Sequence, residues 1–118
     1  MDDLLIYRID SVLKNIDLVL KDAENVSLQE LENSSLLLRA TCFSISQIGE
    51  MMVQLEKHLS EKYTDLPWKE SRKMRNIIVH DYGNADIEQI YSTIHIDLPI
   101  LKQRFIEIRK EVLRESMK

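Results

Sequence analysis

Arg75, Asn76, His80 and Tyr82 fall within eight consecutive residues, and their types suit proton transfer beside a bound anion. An imidazole with an ordinary pKa near ~6.5 takes or gives a proton around neutral pH. A guanidinium stays charged and can hold a phosphate through two parallel N–H bonds as negative charge builds. Without a metal, such a pair fits cleavage of an RNA phosphodiester, where a 2′-hydroxyl must lose its proton as it attacks the adjacent phosphorus. Asn76 can orient His80 or donate to the phosphate, and Tyr82 can donate a hydrogen bond or stack on a base. One Arg and one His near a helix end also occur where no such chemistry does, as a surface cation and a capping imidazole.

Spacing limits how these groups can meet. Arg75 and His80 are five residues apart, which on an ideal helix turns one about 140° from the other. Arg75 and Tyr82, seven apart, return to within about 20°. Asn76 and His80 are four apart and can meet on one side of a helix. A compact Arg/His site therefore requires the helix to end at or before His80, or a second copy of the chain to supply the missing partner. Gly83 offers the left-handed backbone that helix ends favour, which supports an early end.

Other chemistries find little footing. The phosphate-cradling glycine loops, the H-E-x-x-H zinc pattern and paired cysteines are all absent. The single Cys42 makes no intrachain disulfide and reads as a small buried apolar residue. His58 and His95 lack comparable company and read as helix-surface or groove residues. No metal and no cofactor is expected. The formal net charge of −4 argues against a whole-surface grip on nucleic acid, so positive charge for an RNA would have to be local. Lys69, Arg72, Lys73 and Arg75 are one such cluster, or simply a solvated helix face.

The elements that must position these residues are helical. Two glycines and two prolines in 118 residues are too few for the tight turns of a sandwich or barrel. The length fits one domain, residues 1–118. The first helix runs from about Asp3 to Lys21, with Leu5, Ile9, Val12, Leu13, Ile16 and Leu20 in one apolar stripe. Ser27 and Glu30 have the spacing of a capping box, and a single long helix is predicted from there to about Lys62. Along it Leu38, Ile45, Met52 and Leu59 recur every seven residues. Leu37, Ala40, Phe43 and Met51 add a second apolar set, facing either the same core or a second subunit. Gly49, in mid-helix, points to a close helix approach.

Asp65 to Trp68 reads as the start of a third helix ending near His80, with Asn84 or Asp86 capping the next. The fourth segment carries Ile87, Ile90, Ile94, Leu98, Leu101, Phe105, Ile108 and Val112, and Pro99 predicts a kink near Asp97. The fold expected is an all-α, four- to five-helix antiparallel bundle. An acidic start at Met1-Asp2-Asp3 and the lack of a long apolar run are unlike a signal peptide or a membrane span. A cytoplasmic location without membrane contact is expected.

The pattern Arg75-x4-His80-x-Tyr82 resembles the signature of the HepT-like ribonuclease toxins, a branch of the HEPN superfamily. The polar Asn76 after the arginine, the stretch from His80 to Asp86, Ile48-Gly49-Glu50, and Asp97 to Leu101 are similar to that family in turn. The resemblance covers nearly the whole chain. It implies a helical homodimer in which two copies of the motif face one cleft. It implies that His80 acts as acid/base or orients the 2′-hydroxyl, that Arg75 binds the scissile phosphate, and that Glu50 supports them. The products implied are a 2′,3′-cyclic phosphate and a 5′-hydroxyl on an mRNA or tRNA. It further implies the toxin of a type VII toxin–antitoxin system, paired with an MNT-type nucleotidyltransferase antitoxin that transfers AMP to Tyr82. The residues alone leave open a non-catalytic adaptor or substrate-binding partner of a nucleotidyltransferase, or a helical dimer of purely structural role.

Overall fold

In the computed structural model, which describes residues 2–118, helix α1 (Asp2–Ala23) buries Ile9, Val12, Ile16, Val19 and Ala23 along one side. That three- and four-residue spacing places the buried positions over the long helices α3 (Ser35–Leu59) and α6 (Leu98–Ser116), which α1 packs against. Leu5, Leu13 and Leu20 cover the edges of the same core. From α3 come Ile45, Ile48, Met52, Leu55 and Leu59, and from α6 come Leu98, Leu101, Phe105 and Ile108. Asp10 pairs with Arg109 and Asp17 with Lys102. The ascending numbers on one helix meet descending numbers on the other, so α1 and α6 run antiparallel. The bundle is all-α, as composition and periodicity predict, and every described element is helical.

The long helix predicted from Ser27 is in fact two. The capping box is present: Glu30 N–H donates to Ser27 Oγ, and Ser27 N–H to the Glu30 carboxylate, each at 3.1 Å. Helix α2 (Leu28–Asn33) nevertheless stops after six residues, and Ser34 adopts an extended conformation with φ −120° and ψ 97°. Its hydroxyl then accepts from Leu37 N–H at 3.1 Å and starts α3 afresh. Asn33, Ser34 and Ser35 carry side chains that compete with helical backbone bonding, which is why the chain can turn here. The turn lets Leu31 reach the core. At its far end α3 stops at Leu59, three residues before the predicted Lys62.

Helix α4 (Trp68–His80) starts after a tightly held loop. Trp68 Nε1 donates to the Tyr63 carbonyl at 2.9 Å, and the Tyr63 hydroxyl donates to Glu111. Arg104 hydrogen-bonds both oxygens of Asp65, at 2.7 and 3.2 Å, and this pairing holds the Asp65 carboxyl below the usual carboxylate range. Pro67 is the residue before the helix rather than its first turn. The pairs Glu50–Arg75 and Glu56–Arg72 show α4 returning antiparallel along α3.

After α4 the chain makes a 3₁₀ turn (Tyr82–Asn84), then helix α5 (Ile87–Ser92), capped by Asp86, whose carboxylate accepts from Glu88 and Gln89 N–H. The kink predicted from Pro99 is a π turn at Thr93–Asp97, where Leu98 N–H reaches the carbonyl of Thr93. The wide turn lies just ahead of Pro99, whose ring and missing donor disfavour a continuous α-helical ladder there. Among the described residues, no helix is long and apolar enough to cross a membrane.

Candidate active site

The antiparallel packing of α4 on α3 settles where each candidate residue lies. At the crossing point stands Gly49, buried in α3. A Cβ there would lie 2.6 Å from the Cβ of Arg75, 3.1 Å from its Cγ and 3.3 Å from the Ser71 carbonyl. The close approach expected of Gly49 is therefore real, and the residue it admits is Arg75. The Arg75 side chain is 21% exposed and runs past Gly49 towards Glu50, whose Oε1 is 3.3 Å from Arg75 Nε. The two are within ion-pair range but poorly aligned, and the buried Nε is left without a hydrogen bond. No hydrogen bond from the terminal guanidinium nitrogens of Arg75 is among those of the described residues either.

The basic cluster of the third helix divides. Arg72 pairs with Glu56 and Arg75 with Glu50, both across to α3. Lys69 and Lys73 are exposed and have no ion pair among the described residues. They fall with Asn76 and His80 on one outer strip of α4, at three- and four-residue steps.

His80 is the last residue of α4, and Asp81 N–H still donates to the Ile77 carbonyl at 2.8 Å. The helix thus stays regular through His80, and the phase of about 140° between Arg75 and His80 holds. Arg75 turns towards α3; His80 and Asn76 are exposed on the outer strip. Neither a bond between Arg75 and His80 nor one between Asn76 and His80 is among the hydrogen bonds of the described residues. The helix does not stop by the route Gly83 promised, because no described glycine has a positive φ. Asp81 ends it instead, with φ −151°, and its carboxylate accepts from Asn84 Nδ2 at 2.9 and 3.0 Å.

That turn folds Tyr82 back over α3. Tyr82 is 39% exposed and borders a depression of about 380 Å³ together with Arg39, Phe43, Gln47 and Val79. Partial burial and the neighbouring Cys42 push the Tyr82 hydroxyl above its ordinary pKa, and the charge of Arg39 pulls the other way. Cys42 is buried, and desolvation pushes its thiol up to about 11, as fits an unreactive core residue. Arg39 and Gln47 escape notice in the sequence; their only signal is the four-residue step Arg39, Phe43, Gln47 on one side of α3. A second, more apolar depression of about 400 Å³ lies between α4 and α6, near Met52, Leu66, Met74 and Leu101. None of Arg75, Asn76, His80, Tyr82 or Glu50 lines it.

His95 is part of the scaffold: its Nδ1 lies 3.0 Å from the Tyr91 carbonyl and its Nε2 3.2 Å from the Glu24 carbonyl. Among the described residues no three His, Cys, Asp or Glu side chains gather as a metal site needs.

The model of the family described as Ribonuclease HepT-like matches residues 12–108. The chain is similar to a provisionally named RNase of Caldanaerobacter subterraneus, at 28% identity over 85% of this chain and 89% of that one. It is similar to a protein of Methanocaldococcus jannaschii named as a gamma-glutamylcyclotransferase and, provisionally, an RNase, at 29% identity over 93% of this chain. This chain spans about half of that relative, 49% of its length. It is also similar to the probable ribonuclease HepT of Thermococcus cleftensis, at 22% identity over 86% of this chain and 93% of that one. No solved structure matches.

Proposed function

Because the chain belongs to the HepT-like ribonuclease family, we propose that it is a metal-independent endoribonuclease whose cleft is built by Arg75 and His80 of two copies. The observation that carries this reading is the regular α4 helix. It aims a guanidinium along α3, steered by Glu50, and leaves an exposed imidazole about 140° away at its end. One chain offers both groups but does not bring them together, and a two-fold pair of chains can set the His80 of one beside the Arg75 of the other. Exposed Ile77, nearly one turn before His80, gives such a pair apolar surface to bury.

In that cleft His80 accepts the proton of a 2′-hydroxyl as its oxygen bonds to the adjacent phosphorus. The bond to the 5′-oxygen breaks, and that oxygen takes up a proton. A 2′,3′-cyclic phosphate and a 5′-hydroxyl result. Arg75 binds the phosphate oxygens as charge gathers on them, and Asn76, one turn before His80, donates to the same phosphate or orients the ring. The test is cleavage of single-stranded RNA by the purified chain in excess chelator. Cyclic phosphate ends are expected; uncut RNA, or cutting that vanishes with the chelator, overturns the reading. The pairing of Arg72 and Arg75 with α3 carboxylates favours the rival reading of a non-catalytic adaptor, because it halves the basic cluster. The same assay decides between them.

The resemblance of the motif also supports a place as the toxin beside an MNT-type nucleotidyltransferase. Tyr82, partly exposed on a turn two residues past His80, is the modification site in this reading. Its hydroxyl gives up its proton as the oxygen bonds to the α-phosphorus of ATP, pyrophosphate leaves, and the added AMP puts negative charge and bulk beside the cleft. Co-expression with that enzyme is expected to raise the intact mass by one or more AMP units, and Tyr82→Phe to abolish the rise. An unchanged mass removes the antitoxin mechanism and leaves the nuclease standing.

A further inference from the structure

We propose that the depression between α3 and the end of α4 is a nucleobase subsite: a base of single-stranded RNA stacks on Phe43, Gln47 meets its polar edge, and Arg39 holds a neighbouring phosphate. The proposal rests on the ribonuclease reading and names how that site takes its substrate.

Phe43 lies in the middle of α3, a helix that buries nine of its residues, yet Phe43 itself is 63% exposed. Tyr82, partly exposed, borders the same depression of about 380 Å³. This is an open depression rather than an enclosed pocket, which suits a base laid against a ring. Exposed aromatic rings beside a cation are the elements with which proteins hold single-stranded nucleic acid, because every base offers a face for stacking. Arg39, one turn before Phe43, is that cation. Its Nε donates to the Ser35 carbonyl at 3.3 Å, which anchors the side chain along its own helix. Arg72, Arg75, Arg104 and Arg109 are each paired with a carboxylate, whereas Arg39, like Arg8 and Arg114, has no ion pair among the described residues, and of these three only Arg39 lines the depression. Its terminal nitrogens remain for a phosphate.

Charge separates this depression from the other one. The chain has 20 acidic residues against 16 basic ones, yet no carboxylate lines the depression beside Tyr82. Asp65, Glu70 and Asp97 border the apolar one near α6; Arg104 there is already paired with Asp65, so Glu70 and Asp97 are left to disfavour an RNA backbone. Cys42 stays an uncharged thiol at neutral pH, so the wall beneath Phe43 adds no negative charge either. Gln47, half-buried one turn after Phe43, carries both a donor and an acceptor for a base edge. Val79 and Tyr82, which come just before and two residues after His80, both line the depression, so it lies at the end of α4 that carries His80.

The test uses the His80→Ala chain, in which cleavage is expected to be lost, and a fluorescein-labelled single-stranded oligoribonucleotide read by anisotropy. Phe43→Ala is expected to weaken binding about tenfold, the worth of one stacked base, while Phe43→Trp keeps it. An oligonucleotide with abasic sites should lose the difference between Phe43 and Ala. Arg39→Gln should weaken both oligonucleotides alike and flatten the dependence of log affinity on log salt by about 0.7, one single-strand phosphate contact. Unchanged binding of Phe43→Ala, or an equal loss on the abasic strand, overturns the subsite. So does a Phe43→Ala chain that dissociates in sedimentation velocity where the parent does not, since the ring then serves a contact between copies. A parent that neither binds nor cuts RNA sinks the ribonuclease reading and the subsite together. Cleavage that persists with Phe43→Ala binding as the parent does sinks the subsite alone.

Discussion

Replacing His80 by alanine is expected to lower RNA cleavage by about two to four orders of magnitude, the usual contribution of a positioned acid–base group. Its melting temperature should stay close to the parent's, because His80 is exposed at the end of α4 and its side chain has no hydrogen-bond partner among the described residues. Arg75→Ala is expected to lower cleavage by about two to three orders of magnitude, as loss of one donor to a developing oxyanion does elsewhere. It also frees the Glu50 carboxylate, which would then face the phosphate as an uncompensated charge. Arg75→Lys keeps the charge but not the planar fork, and recovers only part of the loss if the phosphate is held by two nitrogens. The decisive arrangement is a mixture. Dimers of one Arg75→Ala chain with one His80→Ala chain retain one intact Arg/His pair across the interface and none within a chain. Activity that returns on mixing the two inactive proteins is the expected result. Mixtures as inactive as their components, beside a parent that cuts, mean that both groups act from one chain, against the geometry of α4.

How much of this could be read from the residues depends on the range of the interaction involved. The Ser27 box and the Asp86 cap are local hydrogen bonds between residues two or three apart, and they are visible as spacing. The stripes on α1, α3 and α6 follow from a single period and are equally visible. The break at Ser34 is not, because an Asn-Ser-Ser run is tolerated in a helix and preferred at a cap, and burial of Leu31 tips the choice. Gly83 misleads for the opposite reason. Its conformational freedom goes unused, since Asn84 locks Asp81 and ends α4 without a left-handed residue. The basic cluster at Lys69 to Arg75 reads as one patch in the sequence because its carboxylate partners lie some twenty residues away on α3. Only the antiparallel register of the two helices shows that its arginines and its lysines serve different surfaces.

That register makes Gly49→Ala the second substitution from which a large effect is expected. Two terms oppose each other. Alanine gains up to about 1 kcal/mol over glycine inside a helix. Overpacking an interface costs about 1–3 kcal/mol. The contact of 2.6 Å falls on the Cβ of Arg75, the root of that side chain, with the Ser71 carbonyl at 3.3 Å behind it. Neither atom can be moved by a change of rotamer, so α4 itself must shift away from α3. Stability is thus expected to fall modestly, by about 0–2 kcal/mol on balance. Catalysis should suffer more, because the displaced atoms belong to the arginine that meets the phosphate, and a misplacement of about 1 Å costs on the order of a hundredfold. The loss should appear in kcat rather than in KM, since the charge of Arg75 and the exposed lysines remain. Gly83→Ala is the internal comparison. It lies three residues past His80, has no positive φ, and a Cβ there would meet nothing within 4 Å, so cleavage and melting temperature should both stay at parental values. A Gly49→Ala chain with full activity and a raised melting temperature would show the α3–α4 contact to be soft, and Arg75 would then owe its position to Glu50 alone.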